Sequence, residues 1–316
     1  MLFLPQSWPL ALGIVLLAGI IDVTVGESPA AVHPVVWMGR LIGALEGRRP
    51  HDRPRAELVY GVLVVLTVTG ACAAAAIALT VLVAQLPWWL ALPIGAAALK
   101  TTFSLRGLVS AGRRIQLALA SDTDAARAGL AALVSRSRDL EPPQIVSATV
   151  ESLAENLTDS VVSPLLYCVV FGLPGAFVYR AVNTMDAMIG YRGAYEYVGK
   201  PAARLDDVLN WVPARLTALL LVMLASLRRA HRKAWACLRS RPHPPTGPNK
   251  LVTISAMAGA LGVQLAKPGV YAVGPADRPL VASVIGEAID LVWLAGGIAL
   301  AVAAGLSALL VWGVGG

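Results

Sequence analysis

A chain of 316 residues that is 57% hydrophobic and only 14% charged falls well short of the roughly 25% charge of a soluble domain. Its net charge of +7 comes with no recognition motif and no aromatic interleaving of the basic residues, so nucleic acid is not an expected partner. Cys72, Cys168 and Cys237 lie far apart and His33, His51, His231 and His243 show no paired spacing, so no zinc or haem centre is expected. Neither a GxxxxGKS/T nor a GxGxxG phosphate loop is present.

The first apolar run, residues 8–25, carries Asp22 near its end and lacks a basic leader, so it reads as a span rather than a signal peptide. Arg40, Arg48, Arg49, Arg53 and Arg55 follow it. Residues 58–99 hold no charge at all. As one helix these 42 residues would measure about 63 Å, against a bilayer core of roughly 30 Å. Two spans, 58–84 and 87–105, are therefore expected, with a turn near Gln85-Leu86-Pro87 and Trp88 and Trp89 at the interface.

Residues 106–150 mix arginines and acids at helical spacing and read as a helical hairpin outside the lipid. Ser121 with Asp124 suggests a helix start, and Pro142-Pro143 a break before a helix opened by Gln144. A fourth apolar run, 160–179, is interrupted by Pro164 and by Gly172-Leu173-Pro174-Gly175. A fifth, 208–227, carries Asn210, Pro213 and Arg215. Arg228, Arg229, Arg232, Lys233, Arg239, Arg241 and Lys250 then form a second basic cluster of the kind that keeps short loops in the cytoplasm. Residues 251–266 are short and small-residue-rich, a packed helix, and 291–316 form the last span. The fold class is all-α: a polytopic integral membrane protein with about four to six membrane-embedded helices and helical extramembrane segments. It reads as a single domain over 1–316, with 228–288 a basic, packed helical segment.

The densest chemistry lies between Glu151 and Arg215. Ionisable groups beside lipid cost roughly 2.5–3.5 kcal/mol each, so they usually face a polar cavity; residues 181–207 are expected to fold into one. Glu151, Glu155 and Asp159, four apart, would share a slowly turning helix face, a set of hard oxygen donors suited to Mg²⁺ or simply a solvated face. Asn183-Thr184-Met185-Asp186 followed by Gly190-Tyr191-Arg192 reads as a turn with an acid for metal and a base for phosphate, or as a local ion pair. Arg204, Asp206, Asp207, Asn210 and Arg215 open an apolar run, with Asp206 and Asn210 one turn apart in one helix. Capping by the helix dipole explains one aspartate, not the whole set. His33, before Pro34, is a base, a phosphate donor or an interfacial histidine.

Six ordered blocks carry a resemblance: HPVVWMGRLIGALE (33–46), KTTFSLRGL (100–108), ESLAENLTDSVVSPLLY (151–167), GLPGAFVYRAVNTMDAMIGYR (172–192), ARLDDVLNWVPARLTALL (203–220) and SAMAGALGVQL (255–265). Together they resemble the CobD/CbiB family of cobalamin (vitamin B12) biosynthesis, the adenosylcobinamide-phosphate synthases. The resemblance implies a multi-pass protein of the cell membrane, in bacteria the plasma membrane. It implies an acid–amine ligase that joins the free propionate of adenosylcobyric acid to (R)-1-aminopropan-2-ol or its O-phosphate. ATP as co-substrate and Mg²⁺ as cofactor are expected with it, alongside membrane lipid and other B12-pathway enzymes as partners.

Under that reading Glu151, Glu155, Asp186, Asp206 and Asp207 are candidate catalytic residues, and Glu155, Asp159, Asp186 and Asp207 candidate Mg²⁺ ligands. His33, Arg40, Lys100, Arg106, Asn156, Asn183, Arg192, Arg204, Asn210, Arg215 and Asn249 are candidate substrate binders. The chain departs from the family pattern at Gly247-Pro248-Asn249-Lys250-Leu251, where Ser-Pro-Asn-Ala-Gly is usual, and at Ser135-Arg136-Ser137-Arg138, where Gly-Arg-Asp-Thr is usual. A transporter for a corrinoid or another anionic solute is the rival reading, although no internal repeat supports it.

Overall fold

The computed structural model describes residues 7–51, 53–131, 140–191, 193–242 and 247–315. Almost all of the ordered structure is α-helical. Four helices are long and apolar enough to cross a bilayer, Pro54–Ala84, Pro142–Ile189, Trp211–Arg228 and Ala282–Gly313, and two shorter apolar helices accompany them. The chain divides into two compact units interleaved in sequence: Met1–Ser104, Ser163–Leu209 and Ala299–Gly316 form the first, Leu105–Val162 and Asn210–Ile298 the second.

In the first unit, α1 (Trp8–Thr24) packs on α4 (Trp88–Lys100), and α3 (Pro54–Ala84) packs on α8 (Ser163–Ile189). Helix α2 (Pro34–Glu46) and helix α9 (Lys200–Leu209) both rest on α8. Their shared core is Met38, Ile42, Val64, Val68, Phe177 and Met185 with smaller neighbours. The outer face of α3 exposes Val59, Leu63 and Leu66, a surface suited to lipid tails rather than water.

Helix α1 has 17 residues, about 25 Å, close to the expected run 8–25, but one expected span comes out shorter. The segment 87–105 yields only the 13 residues of α4, about 20 Å, because the helix ends at Lys100 and a Thr101-Thr102 turn follows. The fourth run is broken as expected, but at Gly172 rather than Pro164: Gly172 has φ 68°, ψ −161°. That left-handed φ is open to glycine, and Pro174 disfavours helical backbone just before it.

The second unit is arranged around α12 (Lys250–Leu261), whose residues Leu251–Leu261 are all buried. This is the packed helix that its small side chains suggest. It contacts α7 (Pro142–Leu157), α10 (Trp211–Leu224) and α11 (His231–Arg239). Helices α5 (Leu105–Ala118) and α6 (Thr123–Ala131) pack on each other and on α7. The cap of α6 is Asp122, whose Oδ1 accepts from the Asp124 and Ala125 amides at 2.9 and 3.1 Å, not Ser121. Pro142 and Pro143 are the first residues of α7 rather than a break before it, and Gln144 in its first turn accepts from the Glu141 amide at 2.9 Å. A two-stranded hairpin, β1 (Leu265–Lys267) and β2 (Tyr271–Val273), pairs antiparallel with Ala266 opposite Ala272. Helix α13 (Ala282–Gly315) begins nine residues before the expected last span and runs on from this unit into the first.

Candidate functional site

Three polar clusters stand out against the apolar background, two in the first unit and one in the second. The first gathers around Lys100 at the C-terminal end of α4, where a cation is favoured by the helix dipole. Its Nζ lies 3.2 Å from Asp22 Oδ1 and 2.9 Å from Glu27 Oε1, and donates to the Phe103 carbonyl at 3.2 Å. Asp22 and Lys100 are 0% and 2% exposed. The Ser104 hydroxyl donates to the same Glu27 oxygen.

His33 completes this cluster and its tautomer follows from its neighbours. Nδ1 accepts from the Val35 amide at 3.2 Å, capping α2. The proton therefore sits on Nε2, which donates to Glu27 Oε2 at 3.0 Å. A histidine so arranged offers no free lone pair for base chemistry. Burial is the largest influence on Glu27 and pushes its carboxyl up. The hydrogen bonds from Ser104, Lys100 and His33 outweigh it and hold the group below the usual carboxylate range.

The second cluster joins α8 and α9. Asn183 Nδ2 donates to Asp206 Oδ1 at 3.4 Å, and Arg180 Nη1 reaches Asn183 Oδ1 at 3.5 Å. Asn183–Asp186 is not a turn: it lies within α8, which continues to Ile189. The turn comes after Gly190, where an added Cβ would run into Asp186 Oδ1. Asp206 and Asp207 also differ from expectation. They lie in the last turn of α9, where the dipole disfavours acids, and Asn210 separates α9 from α10. Pro213 explains the break, since a proline inside a continuous helix would lack its amide and clash with the carbonyl four residues back. Capping at a helix start thus accounts for neither aspartate.

In the second unit, Glu151 is 3% exposed. Ser147 Oγ donates to its Oε1 at 2.7 Å, and the Tyr271 hydroxyl donates to its Oε2. The Ala266 amide donates to Ser147 Oγ at 2.9 Å, so this carboxylate fastens the β-hairpin to α7. Glu155 Oε1 meets Lys250 Nζ at 2.8 Å. Arg215 stacks on the Trp211 ring at 4.0 Å and donates to Asn249 Oδ1 at 3.3 Å.

Among the remaining candidates, Asn156 turns back onto Ser152 of its own helix. Asp159 sits in a π-helical turn, Thr158–Val162, that follows α7. Arg106 is half-buried, Asn210 buried, and Arg40 and Arg204 exposed. Arg192 and residues 135–138 lie outside the described residues. Asp22, Glu27, Ser104, Ser147, Tyr271 and Trp211 belong to these clusters without having been singled out in the sequence. Only Asp22 carried a signal, as an acid closing an apolar run.

No three His, Cys, Asp or Glu side chains among the described residues form a group able to hold a metal by themselves. Mg²⁺ commonly takes one or two carboxylates plus substrate phosphates. The half-buried carboxylates Asp206 and Asp207 are of the type that this smaller demand needs.

The family model "CobD/Cbib protein" matches residues 15–292. A "probable cobalamin biosynthesis protein CobD" of Methanothrix thermoacetophila is 39% identical over 94% of this chain and 96% of its own. One of the same description from Thermococcus kodakarensis is 39% identical over 79% and 81%. The "cobalamin biosynthesis protein CobD" of Dehalococcoides mccartyi is 38% identical over 90% and 93%. No solved structure matches the chain.

Proposed function

Since the chain belongs to the CobD/Cbib family of cobalamin biosynthesis, we propose that it is the ligase that amidates adenosylcobyric acid with (R)-1-aminopropan-2-ol or its O-phosphate. The observation that carries this reading is the family match, which runs through every polar cluster described above. The four span-length helices make it a membrane protein, and the cell membrane is the proposed site. The relatives are all described as biosynthesis proteins, which does not favour a transporter.

A carboxylate does not condense with an amine at neutral pH, so the reaction needs an activated acid. In the proposed path the free propionate of the corrinoid attacks the γ-phosphorus of ATP, an acyl phosphate forms and ADP leaves. The amine then attacks the acyl carbon and inorganic phosphate departs. Cationic side chains neutralise the phosphoryl group in the first step. Arg215 is suited to this: its guanidinium is held flat against Trp211 and beside Asn249. Asp207 accepts the proton lost by the amine. Bound Mg²⁺ would supply further charge neutralisation, with Asp206, Asp207 or Asp186 as its protein ligands. Lys100 and His33 are committed to Glu27, which suits them to fixing the loop before α2 rather than to direct catalysis.

The test is amide formation by purified protein in nanodiscs, given adenosylcobyric acid, amine and Mg-ATP, with each omitted in turn. Product that requires all of them, with matching ADP release, supports the ligase. No product from folded protein with either amine sinks it. Full turnover by both folded Asp207→Asn and Arg215→Ala would overturn the residue assignment alone.

A further inference from the structure

The span that contains α10 shows one apolar stripe to its surroundings. Leu216, Leu219, Met223 and Leu227 recur at helical spacing and are 44%, 43%, 69% and 72% exposed. Side chains this apolar at this spacing are covered by lipid tails, and the stripe stops at Leu227. A single 3₁₀ turn, Ala225–Arg228, and the left-handed Arg229 then redirect the chain into α11. Helix α11 therefore starts where the hydrocarbon layer ends.

Its orientation is fixed by packing within the same unit. Ala234 and Leu238 are buried. At Gly259 of α12 an added Cβ would come within 2.6 Å of Ala234 Cα and 2.8 Å of the Lys233 carbonyl. The two helices thus meet at backbone distance, and the opposite side of α11 faces outward. That side carries Arg232, Trp235 and Arg239, all exposed. Neighbouring cations have acidic partners: Arg228 meets Glu287 and Lys233 meets Asp277. Among the described residues, no carboxylate pairs with Arg232 or Arg239.

An indole between two uncompensated guanidinium groups suits one environment best. Tryptophan is favoured at the level of lipid headgroups, and arginine recognises phosphate with its planar donors. We propose that α11 lies in the headgroup layer and binds anionic phospholipids, with Arg232 and Arg239 on the phosphates and Trp235 as the interfacial anchor. The charge is complementary to an anionic leaflet, and the surface continues the lipid-facing stripe of α10.

The test compares full-length protein from nanodiscs of equal phosphatidylglycerol and phosphatidylcholine, with retained lipids counted by native mass spectrometry. The wild type should retain phosphatidylglycerol preferentially, by about fivefold for each arginine involved. R232Q/R239Q should lose the preference, and R232K/R239K should keep most of it. Equal retention of both lipids by the wild type, or equal loss in both double variants, overturns the proposal. So does stripping of the lipid by millimolar inorganic phosphate, which would make the face a soluble-anion site. The emission assigned to Trp235 by difference from Trp235→Phe should be quenched by headgroup nitroxides and shielded from aqueous iodide; the reverse pattern also refutes it.

Discussion

Lys100 Nζ and Asp22 Oδ1 stand 3.2 Å apart with both side chains almost wholly withdrawn from solvent. A buried pair of this kind is not in itself a source of stability, because desolvation consumes most of the attraction. Removing one partner is a different matter. Lys100→Met leaves Asp22 in an apolar setting without its cation and should cost about 3–5 kcal/mol. Thermal unfolding in detergent should show that loss, and Asp22→Asn combined with Lys100→Met should recover much of it.

Glu27 gives a pH signature. Its folded-state carboxyl titrates below the ordinary value of 4.5, so near that pH the unfolded chain binds more protons than the folded one. The contribution is complete above the unfolded value and is lost as pH falls through the lowered folded value. Melting temperature measured from pH 7 down to 3 should drop more steeply for the wild type than for Glu27→Gln. Parallel curves would show that the carboxyl contributes nothing through ionisation.

Tyr271 and Ser147 share a single buried acceptor in Glu151. Tyr271→Phe removes a hydrogen bond to a charged group and should destabilise by about 1.5–3 kcal/mol. A double-mutant cycle with Glu151→Gln should be non-additive, since both substitutions act on one bond. Hydrogen exchange should report the effect in residues 265–273 first.

For the proposed ligase, Arg215→Lys keeps the charge but loses the flat stack on Trp211. It should lower kcat/KM about tenfold to a hundredfold, the equivalent of one charge-assisted hydrogen bond. Asp207→Asn should lower kcat about a hundredfold or more. Neither should change the melting temperature much, because Arg215 and Asp207 are not fully buried.

Hydropathy made the long helices readable, and the small side chains of 251–261 identified α12 as packed rather than spanning. Local rules failed where a neighbour decided the outcome. Polar Asn183 and Asp186 suggested a turn, but α8 runs through both and carries Asn183 against Asp206 of α9, a partner invisible to local pattern. The helix expected to join Asp206 to Asn210 is broken by Pro213, a signal that was present but outweighed by the apolar run around it. The clusters were the least legible part. Glu27 meets Lys100 across 73 residues, and Tyr271 meets Glu151 across 120; no spacing rule reaches so far. Individual acids and arginines could be named from sequence, but which of them neutralise each other could not.

The separation between Glu27 and Lys100 also has a consequence for biogenesis. At ribosomal speeds of about 5–20 residues per second, Asp22 and Glu27 emerge several seconds before Lys100, the lysine that answers both in the fold. During that interval the last turn of α1 and the segment just after it carry acids, Asp22 and Glu27, that lipid disfavours, so α1 has little reason to remain where it first arrives. Arrival of Lys100 closes the latch. A nascent chain halted before Lys100 should be extracted from membranes by alkali more readily than one halted after Ser104.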